Sequence, residues 1–100
     1  MNLGKTIKTA RKQKGLTQSQ FAEACDITQA YLSQIENNNK EPNLSTLKNI
    51  STHLEVPLPV LFFLALDEED VQPEKAEAFK LIAPSVRSLL NQFFSRHDKN

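Results

Sequence analysis

The sequence predicts an all-α fold, a five-helix domain followed by a short helical tail. Three observations predict it: apolar residues recur at three- and four-residue spacing, Thr or Asn stands ahead of several such stretches as a cap, and no alternating run or Asn-Gly or Asp-Gly turn suggests a strand. A chain of 100 residues has room for one compact core and a tail.

The first helix is expected from Leu3 to Lys14, where Leu3, Ile7 and Ala10 share a face and Gly15 follows as a left-handed cap. Thr17 then caps a second helix, from about Gln18 to Cys25. Gln20 completes its capping box, and Leu16 and Phe21 form the hydrophobic staple. The same arrangement recurs with Thr28 as cap, Ile27 and Leu32 as staple, and Leu32 and Ile35 as the inward stripe of a helix ending near Asn37. The corner between these two helices is short, and Asp26 is its best candidate for positive φ. After the polar loop Asn37 to Pro42, Asn43 caps a fourth helix that presents Leu44, Leu47, Ile50 and Leu54 on one face. Pro57 and Pro59 introduce the fifth, Val60 to Leu66, which is apolar on every side and must be covered on more than one. Beyond the acidic boundary from Asp67 to Pro73, two helices are expected, about Glu74 to Ile82 and Ser85 to Arg96, kinked or broken at Pro84.

Lys plus Arg and Asp plus Glu each number 12, so the formal charge is zero. The balance conceals a gradient: residues 1–14 hold Lys5, Lys8, Arg11, Lys12 and Lys14 without an acid, whereas the stretch after Leu66 opens with Asp67, Glu68, Glu69 and Asp70. Cys25 is the single cysteine, which excludes an internal disulfide and a multi-cysteine metal site, and reads as a small core residue. His53 and His97 have no partners at metal-ligand spacing, so neither metal nor cofactor is expected. With no secretory pattern and no apolar run approaching the ~20 residues of a membrane span, a soluble cytoplasmic protein without membrane contact is expected. No nucleophile, base and orienting group can be assembled, so an enzyme is not expected.

Leu16-Thr17-Gln18, Phe21-Ala22, Thr28-Gln29, Leu32, Ile35-Glu36 and Pro42, with Arg11 upstream, match in register a motif of about residues 17–37. In this the chain resembles the lambda-repressor-like helix-turn-helix family, the XRE or phage Cro and repressor type, over about residues 3–66. The resemblance implies a DNA-binding domain at 1–66 whose recognition helix, about 28–37, enters the major groove. On that helix Gln29, Ala30, Ser33 and Gln34 face away from Leu32 and Ile35. Gln can pair with an adenine edge and Ala can touch a thymine methyl. Phosphate contacts are implied for Gln18, Tyr31, Asn37, Asn38, Lys40 and Asn43, with Gln18 also bracing Gln29. Arg11 and Glu36 are implied to form a buried structural salt bridge. Asp26 and Asn38 stand where the family often has glycine, and both residue types tolerate left-handed backbone.

Residues 67–100 are expected to be an acidic linker and C-terminal helices that dimerise or bind a partner protein. Phe62, Phe63, Phe79, Phe93 and Phe94 are too many large rings for one small core, and a two-fold homodimer built through Leu61, Phe62, Phe63, Leu66, Val86, Leu90, Phe93 and Phe94 would cover the excess. The expected function is a sequence-specific transcriptional regulator, a repressor, bound as a homodimer to a palindromic double-stranded operator. Alternatives are an antitoxin that autoregulates its operon and a restriction-modification controller.

Overall fold

The computed structural model describes residues 1–98, with side chains as far as Gln92. Among the described residues all regular structure is helical: α1 (Leu3–Gln13), α2 (Gln18–Ala24), α3 (Gln29–Glu36), α4 (Leu44–Leu54), α5 (Leu58–Ala65), two short 3-10 turns (Glu68–Asp70 and Pro73–Lys75) and α6 (Ala76–Asp98). Two compact units divide the chain, Met1–Ala65 and Leu66–Asn100.

In the first unit each of the first four helices begins on a side-chain cap. Asn2, Thr17, Thr28 and Asn43 accept from the backbone N–H groups of Lys5, Gln20, Tyr31 and Thr46, at 2.8 to 3.1 Å. The Gln20 amide oxygen accepts from the Thr17 N–H at 2.9 Å, which closes the capping box. These bonds satisfy donors that a helix start otherwise leaves open, and each cap contributes about 1 kcal/mol. Helix ends are fixed by left-handed residues, Gly15 at φ 74° after α1 and Glu55 at φ 60° after α4. Asp26 makes the α2–α3 corner at φ 56°, and Asn38 the turn after α3 at φ 60°.

The inward stripes meet in one core, where Ile7, Phe21, Leu32, Ile35, Ile50 and Leu61 are fully buried. Each such side chain contributes roughly 1.5 to 3 kcal/mol by leaving water. α1 lies against α3 and α5, α2 against α3, and α4 against α5. Leu61 therefore corrects the expectation of a dimer face: at 0% exposure it belongs to the core of its own unit, because its position on α5 points between α1 and α4. Phe62, Phe63 and Leu66 are half-buried. Cys25 is also in the core, and burial pushes its thiol up to about 11. A folded-state value raised from 9.0 means that the associated stability is complete below pH 9 and is lost as pH rises through 11. Iodoacetamide at pH 8 should leave the native protein unmodified and alkylate it in urea; rapid native labelling would show that the thiol is reached.

Gly4 packs α1 onto the end of α3. A Cβ on Gly4 would overlap the Ile35 carbonyl oxygen and lie 2.6 Å from that of Glu36 and 2.7 Å from Asn38 Oδ1. The Gly4 N–H donates to the same Asn38 oxygen at 3.0 Å.

In the second unit, Asp70 accepts from the Asp67 N–H at 2.8 Å, Lys80 pairs with Glu68 at 3.1 Å, and Arg87 both donates to the Leu66 carbonyl and lies 5.8 Å from the Phe79 ring centre. One face of α6 turns Phe79, Ala83, Val86 and Leu90 inward, Ala83 completely; another leaves Leu81, Ile82 and Leu89 exposed at 78%, 56% and 65%. Phe93 and Phe94 lie outside the residues whose side chains are described. The expected break at Pro84 does not occur, and α6 is one helix of 23 residues. Proline removes the bond to the Lys80 carbonyl, but Lys80 and Pro84 are exposed, so water can take that bond while burial of Ala83 holds the inner face.

Candidate nucleic-acid interface

α3 is anchored from below and open above. Leu32, Ile35 and Glu36 are buried, while Gln29, Ala30 and Gln34 are exposed and Ser33 is half-exposed. The exposed set is uncharged and shares one side of two helical turns. Its first member is held: the Ser19 hydroxyl, on α2, donates to Gln29 Oε1 at 2.8 Å. Its last turn is finished by the Gln34 carbonyl, which accepts from the N–H groups of Asn39 and Lys40 at 2.8 and 3.2 Å. Asn37 is exposed and directs its amide toward Ser33 Oγ at 3.5 Å.

The angle between α2 and α3 is fixed beneath this surface. Arg11 Nε and Nη2 donate to the two carboxylate oxygens of Glu36 at 2.7 and 3.0 Å, and Nη1 donates to the Leu16 carbonyl at 2.7 Å. With 5% and 4% exposure, both residues are taken out of water, where such a pair persists only if its remaining polar atoms are satisfied. Gln18 supplies one further bond, from Nε2 to Glu36 Oε1 at 3.0 Å. α1, the α1–α2 turn, α2 and α3 thus share one bonded cluster. From the other side, Asn49 of α4 donates to the Cys25 carbonyl at 2.6 Å and secures the end of α2.

Two side chains read as phosphate ligands have different partners here. Gln18 turns to Glu36 rather than bracing Gln29, because the buried carboxylate offers a charged acceptor, and Ser19 takes the bracing position. Asn38 uses its oxygen for the Gly4 N–H and its amide for Asn2 Oδ1 at 2.8 Å. Of the other residues in that set, Lys40 and Asn43 are exposed on the loop after α3, Asn43 with its side-chain oxygen on the α4 cap, and Tyr31 is half-buried. Among the lysines of α1, Lys5, Lys8 and Lys12 are exposed, and Lys14, just beyond it, pairs with Glu55 at 2.6 Å. Sequence reasoning overlooked Ser19, Gly4 and Asn49; only Gly4, one of two glycines in the chain, carried a visible signal. Among the described residues no group of acids, histidines and cysteines could hold a metal, and no helix is long and apolar enough to cross a membrane.

The profile of the helix-turn-helix family (HTH_3) matches residues 7–61, from the core residue Ile7 through α2 and α3 to Leu61. The chain belongs to the helix-turn-helix family. Its α2 and α3 lie within the matched span, and the open face lies on the second. An immunity repressor protein of Bacillus phage phi105 is 34% identical over 77 residues, which cover 77% of this chain and 51% of the repressor. This helix-turn-helix chain thus spans about half the length of that relative. A solved structure of SinR, the master regulator for biofilm formation, in complex with DNA shares 36% identity and a TM-score of 0.57 across 60% of this chain and 97% of that one. A structure of the SinR protein/SinI protein complex gives 30% identity and a TM-score of 0.58, covering 95% of this chain and 97% of that one.

Proposed function

We propose that this chain is a sequence-specific transcriptional regulator, acting as a repressor in the cytoplasm, which binds an inverted-repeat operator in double-stranded DNA as a homodimer and carries out no chemical step. The observation that carries the reading is the neutral, exposed face of α3, Gln29, Ala30, Ser33 and Gln34, on a helix whose opposite side is fixed in the core. Amide and methyl groups on such a face suit direct readout of base edges, and phosphates supply position. Backbone N–H groups at the start of α2 and in the loop after α3 supply part of that positioning, together with Tyr31, Asn37, Lys40 and Asn43. Gln18 and Asn38 contribute side chains only by exchanging the partners they hold in the free chain. The similarity to SinR bound to DNA and to a phage repressor supports this reading.

Selection of bound sequences from random duplex DNA tests it. The expected result is a palindrome whose half-sites lie about one helical turn, ~34 Å, apart, with affinity lost when Gln29 and Gln34 are both replaced by alanine. Recovery of DNA without any shared sequence would overturn it.

A partner protein on α6 is favoured by one observation. Leu81, Ile82 and Leu89 are exposed on a helix whose other face is already buried, and such a surface suits a second copy or another protein. An antitoxin would use the tail in this way.

A further inference from the structure

We infer that Lys5, Lys8 and Lys12 form a row along α1 that follows the phosphate backbone of bound DNA, a contact to one strand made outside α2 and α3. The inference rests on the DNA-binding reading above and adds to it a helix which that reading leaves unused. No acid precedes Glu23 in the chain. All three lysines are exposed, and among the described residues none of them has an ion pair. Gly4, Ile7 and Arg11 are the buried residues of α1, and each lysine follows one of them, about 100° further round the helix. The three therefore stand in one line. Leu3, Ala10 and Lys14 take the opposite flank, where Lys14 pairs with Glu55 after α4. At the first end of the row, Gly4 donates to Asn38 in the loop after α3. At the far end, Arg11 donates to the Leu16 carbonyl and to the carboxylate that Gln18 also meets. The row thus runs from the loop after α3 to the start of α2, the two places proposed above to meet phosphates. From Lys5 to Lys12 the helix rises about 10 Å, which matches the ~10 Å occupied by three nucleotides of one strand. Lysine heads on flexible stems suit such a contact, since they are point charges that neutralise phosphates without reading a base.

Affinity measured against salt concentration tests it, with the full chain on the selected operator and on a random duplex. Each phosphate contact contributes about 0.9 to the slope of log K against log salt. Lys5→Gln, Lys8→Gln and Lys12→Gln together should flatten that slope by about 2.7. A rise from about 50 to about 200 mM salt then weakens binding about 40-fold less than in the native chain. The loss of affinity should be equal on operator and random DNA, and the melting curve should be unchanged, because the side chains are exposed. Arginine at the three positions should restore the native slope. Lys8→Gln alone should lower it by about 0.9, whereas Lys75→Gln, which removes one charge from the second unit, should leave it as it is. An unchanged slope in the triple variant would overturn the inference. So would an equal change from Lys75→Gln and Lys8→Gln, or a loss confined to the operator. If the native chain selects no common sequence, the DNA-binding reading itself fails.

Discussion

Arg11→Ala should unfold the first unit at temperatures where the native chain is intact. Arg11 makes three hydrogen bonds, two to Glu36 and one to the Leu16 carbonyl, and Glu36 is left at 4% exposure. Removing one member of a buried pair leaves a charge without a partner and costs about 3 to 5 kcal/mol. Small domains have only about 5 kcal/mol in total at the low end, so most of the stability goes with it. Circular dichroism melting is the direct measurement. DNA binding should fall in parallel with folding, whereas a variant that melts normally and fails to bind would make Arg11 a contact residue. Replacing both partners, Arg11→Met with Glu36→Leu, should recover much of the loss, since no unpaired charge remains. That double variant also removes the acceptor of Gln18, which frees Gln18 to turn outward.

Gly4→Ala is the second large effect, and it comes from a single methyl group. The new carbon would meet two backbone carbonyl oxygens at the end of α3, neither of which can rotate away. α1 must then lift from α3, weakening the Gly4–Asn38 bond and the contacts of Ile7 behind it. Overpacking of this kind costs about 1 to 3 kcal/mol, and we expect the upper half of that range. Denaturant unfolding should show a lower midpoint with an unchanged slope. A midpoint equal to that of the native chain would mean that the helices separate at little cost.

Much of this architecture is legible in the sequence, for local reasons. Thr17, Thr28 and Asn43 announce their helices because a cap is a bond between a side chain and a backbone group three residues away. Asp26 and Asn38 are expected at positive φ because few other residues tolerate it. The face of α3 follows from two buried neighbours, Leu32 and Ile35. What escaped notice depends on distant partners. Glu55 adopts positive φ with no compositional hint and is tied to Lys14, 41 residues away. Gln18 and Asn38 are polar residues for which the family resemblance implies phosphate contacts, but a buried carboxylate and a glycine N–H, reached only through the fold, hold them in the free chain. Leu61 could not be assigned to a side from an all-apolar stretch, since no polar residue marks the solvent face. Pro84 misled because a local preference was set against burial along a much longer helix.

The separation of anchor from surface in α3 has an evolutionary consequence. Leu32, Ile35 and Glu36 bear the cost of any change, while Gln29, Ala30 and Gln34 stand in solvent, where substitutions usually alter stability by no more than ~0.5 kcal/mol. Mutations at those outer positions can therefore accumulate without endangering the scaffold. On the proposed reading, in which those positions meet the base edges, a duplicated copy of such a chain can drift to a different target within a few steps, and two descendants can coexist in one cell without competing for the same sites.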